Sequence, residues 1–417
     1  MADRPAKLQR LDEFRRSKTH CSASVMAQIL TDVKKHGLPD LTDRDSMRLA
    51  RDLEVSTSAT YGPILCYMEC KKAGTDETVK IPIANPFASL AAAIAECANF
   101  RRYFRDRLRL HPSTPEAPWS IVLYCDEVTP GNPLATANAR KFQALYWTFL
   151  ELGSIALSHE ESWFTVMTEF STAINALAGG LSHAFAQVIK LFFVEDGFNF
   201  ATAGILLNFD GEAIRLWASI CVIMQDDGAH KAVWQHRGDS ASKFCLLCKN
   251  LFTDESNVVQ EDGSRLLRSS VIKLDGLEAS TDAELRTNAR YLEQKARTVH
   301  GEAFKQLQQA IGLTYAPNGI LLDRKLDSIL SPTSVYLHDY MHLLYVDGVL
   351  NRVIYLLFEV AIQAGHTTVY QSFADYLGHW KYPGKVHSDH LADIFANDRR
   401  DKHRKAQHIK CQASDCL

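Results

Sequence analysis

The chain has 417 residues, 46% of them hydrophobic, enough apolar material for one large domain or two ordinary ones. Its 46 basic and 49 acidic residues leave a net charge of −3, so no global positive field draws it to nucleic acid and any such affinity must come from local patches. No apolar run reaches membrane-spanning length, the start Met1-Ala-Asp-Arg-Pro lacks a signal-peptide core, and the ten scattered cysteines suit reduced thiols in an intracellular protein.

Residues 1–55 alternate basic and apolar positions and predict short amphipathic helices, with Arg4, Lys7, Arg10, Arg15, Arg16 and Lys18 on a solvated face or against phosphates. Residues 56–115 predict a hairpin and then a helix. Tyr61 to Lys72 is one strand and Lys80-Ile-Pro-Ile the other, with Cys66 and Cys70 as structural residues; Asn85 to Leu110 carries a helical apolar stripe. Residues 116–248 read as the first part of an α/β core. Pro118 to Cys125 is a buried strand ending at Asp126-Glu127, and two more strands follow around Phe142–Leu150 and Ser162–Thr168. Thr172 to Phe193 predicts a long helix, which the pair Gly179-Gly180 threatens to break. Ala203 to Asp210 is half a hairpin turning at Asp210-Gly211, and Arg215 to Met224 is its other half and a central strand ending at Asp226-Asp227. Residues 249–330 are polar and predict a helical insertion. Residues 331–395 end the core with a short strand and one long helix from His338 to Gln363, and residues 396–417 form a basic tail.

Four short stretches carry the chemistry. Asp126 and Asp226 each follow a strand, and acids at the ends of two adjacent parallel strands, with a third on a helix packed across them, would gather carboxylates around hard divalent cations such as Mg²⁺ or Mn²⁺. An Asp after a strand is also an ordinary turn former or helix cap. Only one of Asp226 and Asp227 can face such a site; Asp226 is preferred, and Asp227 has an alternative role as the cap of the next helix. Glu359, flanked by apolar residues in Leu356-Leu-Phe-Glu359-Val-Ala, is the third acid, with Asp339 and Asp347 as rivals. Cys245-Leu-Leu-Cys248 has half a zinc-site spacing, though redox or packing roles also fit it. His338 and His342 would share one helical face, and the two pairs together complete a Cys₂His₂ set for structural zinc.

At these residues the chain resembles the DDE transposases with a ribonuclease-H-like core, nearest the superfamily of CACTA, Chapaev and Plavaka-type elements, related to the Transib transposases and the V(D)J recombinase core. The matching stretches are Tyr124-Cys-Asp126-Glu-Val-Thr-Pro-Gly-Asn-Pro-Leu134, Gln225-Asp226-Asp-Gly-Ala, Cys245-x2-Cys248 and His338-Asp339-Tyr-Met-His342 before a long helix. The resemblance implies an α/β fold: a ribonuclease-H-like mixed sheet flanked by helices, with a helical insertion and a mainly helical N-terminal region. It implies Asp126, Asp226 and Glu359 as Mg²⁺-binding catalytic acids, and Cys245, Cys248, His338 and His342 as zinc ligands. A second signature of these families, DxxH, falls here on Asp339-x2-His342. DNA would be the partner, the nucleus the location, and a homo-oligomer the active form, with no membrane and no small-molecule cofactor. Lys231, Lys243, Lys249 and the tail residues Arg399, Arg400, Lys402, Arg404 and Lys405 would meet phosphates. The resemblance includes no DNA-binding zinc finger or helix-turn-helix near the start, which points to a truncated or host-retained copy. The alternative it carries is a catalytically inactive, transposase-derived protein that binds DNA or other proteins.

Overall fold

The computed structural model describes residues 61–129, 140–194, 197–259, 265–345 and 348–379, with Thr31, Lys34, Ile394, Phe395, residues 399–406 and Ile409. The chain divides into a unit Met1–Thr57 and a unit Ser58–Leu417. The helices expected in residues 1–55 and the rival acid Asp347 lie outside the described residues, apart from Thr31 and Lys34, which are helical.

The larger unit is built on a mixed seven-stranded sheet. Its strands are β1 (Leu65–Lys71), β2 (Thr78–Ala84), β3 (Trp119–Val128), β4 (Phe142–Phe149) and β5 (Phe164–Phe170), then, past a small hairpin of β6 (Ile205–Phe209) and β7 (Glu212–Leu216), β8 (Ala218–Gln225). After a second hairpin of β9 (Thr253–Val259) and β10 (Arg265–Ser269) comes the last strand, β11 (Tyr336–His338). The spatial order is β1-β2-β5-β4-β3-β8-β11. β1 through β3 pair antiparallel in that order, whereas β3 with β8 and β8 with β11 are parallel. The α/β class and the mixed sheet flanked by helices are therefore as expected.

Alternation along β3 shows how sequence sets the faces. Ile121, Leu123 and Cys125 point into the core and are buried, while Tyr124 and Asp126 take the other face and are half-buried. The core is strongly aromatic. Phe104, Trp119, Phe149, Trp147, Phe192 and Phe200 form one connected set of rings, with centroids 5.0 to 6.0 Å apart. Edge-to-face and tilted pairs dominate, the arrangement that the ring quadrupole favours.

Several elements differ from expectation, each for a local reason. The stripe from Asn85 to Leu110 is two helices, Pro86–Glu96 and Ala98–Leu110, broken at Cys97, whose backbone is extended. Asn85 caps the first by accepting from Phe87 and Ala88 N–H, with Pro86 in the first turn where no N–H is needed. The Thr172–Phe193 helix is likewise interrupted. Ser171–Asn175 is one short helix, and Gly180–Phe193 starts after Gly179, which adopts φ 98° with Pro317 O only 2.3 Å from where a Cβ would stand. The hairpin partner and the central strand are separate, divided at Trp217.

Residues 249–330 are not a polar insertion set apart. The helix Asp282–Lys295, opened by a Thr281/Glu284 capping box, sends Leu285, Ala289 and Leu292 into the main core, and Leu313, Ile320, Leu321, Leu326 and Leu330 follow them. Its charged residues occupy the outer face, which is why the stretch looked polar as a whole. The long helix expected from His338 is also three elements: His338 closes β11, Tyr340–Leu344 is a single helical turn and more, and Val349–Gln363 is the long helix. Gly348 is the N-cap of the long helix, and a Cβ there would stand 2.3 Å from Leu343 O, so only glycine fits. The long helix packs in a second apolar cluster of Tyr355, Phe358, Tyr370, Ala374, Ile394, Phe395 and Ile409.

The pairing of β3 with β8 contains one irregularity. Ile121 pairs with Ile220, but Val122 pairs with Val222, so Cys221 is an extra residue in β8.

Candidate active site

Three acids follow from the register of the parallel strands. Cys125 of β3 pairs with Gln225 of β8, and Gln225 pairs with His338 of β11. The next residues are Asp126, Asp226 and Asp339, which therefore stand level across three adjacent strands at their carboxyl ends. Strands in such a sheet lie about 4.8 Å apart, and Asp339 N–H closes the last rung by donating to Gln225 O at 2.8 Å.

Each acid is held differently. Asp126 lies inside β3 rather than after it, opposite Ala144, and its Oδ2 accepts from Tyr124 O–H at 3.3 Å. Burial raises its pKa, the charge of Asp226 raises it further, and bonds from Glu127 N–H and Tyr124 and the nearby His342 oppose the rise. Asp226 is the N-cap of the helix Asp227–Trp234, its Oδ1 accepting from Ala229 N–H at 2.6 Å. Asp339 caps the Tyr340–Leu344 turn through Oδ1 from Met341 N–H at 2.9 Å, and its Oδ2 binds His342 Nδ1 at 2.7 Å. Tyr124 senses the whole group: burial first, then Asp126, Asp339 and Asp226, push its hydroxyl pKa well above the ordinary value, so it stays a donor.

The capping role assigned to Asp227 belongs to Asp226. Asp227 is the first helical residue, turned to Lys231 Nζ at 2.7 Å. Glu359 sits on the Val349–Gln363 helix, 3.9 Å from Arg404 Nε, and its charge acts on Tyr370 within the second apolar cluster. The structure brings Asp126, Asp226 and Asp339 into one row and gives Glu359 other company.

Among the described residues the four expected zinc ligands do not form one group. Cys245 and Cys248 are neighbours, and burial and the bond with Cys245 push the Cys248 thiol up to about 11. Cys245 and His338 line a cavity of about 460 Å³ together with His236, Asp227, Lys231 and Tyr336. His338 is not on a helix with His342; its ring stands 4.5 Å from that of His230, whose pKa burial lowers to about 3. His342 is engaged by Asp339 on the acids' side.

Among the described residues no three His, Cys, Asp or Glu side chains stand together closely enough to hold one ion. A four-ligand zinc set of Cys245, Cys248, His338 and His342 therefore does not fit this arrangement. A Mg²⁺ ion asks for less, since one or two carboxylates with water and substrate phosphate complete its shell. Asp126 beside Asp226, with the proton affinity of one raised by the charge of the other, fits that demand.

The lysines expected at phosphates are mostly committed. Lys231 pairs with Asp227 and Asp239, Lys249 pairs with Glu278 at 2.9 Å, and Lys243 is buried, which lowers its pKa. In the tail, Arg404 faces Glu359 and Arg400 lies over the Tyr370 ring at 5.6 Å.

Sequence reasoning passed over Tyr124, although a residue two before Asp126 in a strand must share its face. The pair Asp339 and His342, singled out as the DxxH spacing, is joined by a hydrogen bond that a helical turn permits. No protein-family model matches the chain, and no curated protein is detectably similar to it in sequence.

Proposed function

We propose that the chain is a DNA-processing protein of the DDE transposase kind, with a ribonuclease-H-like core, acting on phosphodiesters in the nucleus through Asp126, Asp226 and Asp339. The observation that carries this reading is the single transverse row of the three acids, set by the register Cys125–Gln225–His338. The strand arrangement supports it. Three antiparallel strands in sequence (β3, β4, β5) and two strands added in parallel on the other side of the first (β8, β11) are what a ribonuclease-H-like core would have. Carboxyl ends of adjacent parallel strands are also where α/β sheets place their ligands.

Asp339 takes the third position in this proposal in place of Glu359, because it shares the row and Glu359 does not. Asp126 and Asp226 would hold a divalent ion, Mg²⁺ or Mn²⁺. Such an ion, when bound, polarises the phosphodiester and lowers the pKa of an attacking water or 3′-hydroxyl. Tyr124 keeps Asp126 oriented through its hydroxyl, and His342 fixes Asp339. The structural zinc of the resemblance would rest on the neighbouring Cys245 and Cys248, with His338 lining the same cavity as Cys245, while His342, held by Asp339, takes no part.

A second reading is favoured by one observation. Both oxygens of Asp339 already accept a hydrogen bond, and Oδ1 of Asp226 is spent as a helix cap. This is what an inactive, transposase-derived protein would keep: acids retained for structure. Nicking of supercoiled DNA in Mn²⁺ separates the two. The enzyme reading expects nicking by the unaltered protein and none by Asp126→Asn, and equal activity in both would remove it.

A further inference from the structure

On the open face of the sheet, one row from the acids, four residues stand directly opposite one another across four strands. Met224 of β8 pairs with Tyr124 of β3, Tyr124 with Tyr146 of β4, and Tyr146 with Thr165 of β5. With Trp163 and Glu160 they line a cavity of about 620 Å³. Its rings, those of Tyr124, Tyr146 and Trp163, are half-buried. The Tyr124 and Tyr146 rings are nearly parallel, 21° apart with centroids at 6.3 Å, and Trp163 meets Tyr124 edge-on at 6.4 Å. Trp163 is fixed by its indole N–H, which donates to Leu157 O at 3.0 Å.

We propose that this groove holds an unpaired nucleobase of the DNA strand whose phosphodiester reaches Asp126. Four features of the groove select that occupant. Flat rings at a half-open wall offer a stacking surface of the kind that binds single strands with little regard to sequence. The volume lies within the range of small-ligand sites and admits one base with its sugar. The hydroxyl of Tyr124 is spent on Asp126, so the ring is tied to the acid row and a base stacked on it lies next to the place where its own phosphate would meet the ion. Glu160 on the rim repels phosphate, which directs the backbone toward the acids and leaves the base side to the rings; its carboxylate accepts from an exocyclic amino group such as cytosine N4.

The inference rests on the transposase-like reading, and the experiment keeps the two apart. Binding of a short fluorescent oligo(dT) to the full chain is measured by anisotropy in Ca²⁺, beside binding of a blunt duplex. Tyr146→Ala is expected to weaken oligo(dT) binding by about tenfold and to change duplex binding by less than about twofold. Tyr146→Phe, which keeps the ring, is expected to bind as the unaltered protein does, and Trp163→Ala, used if Tyr146→Ala fails to fold, is expected to weaken oligo(dT) binding in the same way. Equal oligo(dT) binding by the unaltered protein and Tyr146→Ala, or no binding by either, overturns the groove even if DNA is nicked. Ring-dependent binding without any nicking upholds the groove and removes the enzyme reading alone.

Discussion

Asp126 and Asp226 stand level on adjacent parallel strands, and the charge of Asp226, second only to burial, makes Asp126 hold its proton more tightly than a free carboxyl does. A site that gathers like charges before any cation arrives is strained against its own function.

The first prediction concerns that strain. The folded pKa of Asp126 lies above its ordinary value of 3.8. Its contribution to stability is therefore complete below the unfolded value and is lost as pH rises through the folded one. In a chelator at neutral pH, Asp126→Asn should melt about 1–2 °C above the unaltered protein, with the gap closing below about pH 4. Added Mn²⁺ should raise the melting temperature of the unaltered protein and leave that of Asp126→Asn where it was. A variant that melts lower at neutral pH in chelator contradicts the account.

The identity of the third acid is open to a direct comparison. Asp339→Asn should lower the rate of Mn²⁺-dependent nicking by about a hundredfold, the scale of a lost charge at a reacting phosphate. Glu359→Gln should stay within about twofold, because Glu359 faces Arg404 and Tyr370. The reverse ranking in single-turnover assays would return Glu359 to the site.

Metal content distinguishes the two histidines. Cys245→Ser should lower the zinc that purifies with the protein, measured by elemental analysis, whereas His342→Ala should not, because its ring is held by Asp339. Equal loss in both would restore the four-ligand clip.

A stability prediction falls on Gly179. Its φ of 98° is costly for any other residue, and a Cβ would stand 2.3 Å from Pro317 O. Gly179→Ala should destabilise by at least about 2 kcal/mol in urea denaturation. An effect under about 0.5 kcal/mol would show that the turn relaxes easily.

The strands that carry the site were legible because β3 and β8 are short apolar runs rich in β-branched residues, ended by acids. Breaks were harder to read. Gly348 sits in an apolar stretch that otherwise reads as one helix, and only the close Leu343 carbonyl reveals that the position takes no side chain. Reading through that break placed His338 and His342 on one helical face, whereas His338 closes β11 and His342 lies on the turn after it. The polar look of residues 282–295 concealed Leu285 and Leu292, because charge on a helix's outer face outweighs two core leucines in any average over the stretch. Tyr146 and Trp163 could not be linked to Asp126 at all, since cross-strand neighbours are set by register and sequence spacing is silent on it.

The extra residue at Cys221 works as a change of phase. Before it, Ala218 and Ile220 share a parity and Ala218 is buried; after it, Ile223 and Gln225 are the buried pair, so even positions have handed the core to odd ones. Were Cys221 paired with Val122 instead of bulged out, Asp126 would stand beside Gln225, with Asp226 a step further along and the inward and outward residues of the last half-strand exchanged. Alignment of the three acids thus depends on a bulge remote from all of them, and counting residues from the strand's start without it would misplace the second acid by one.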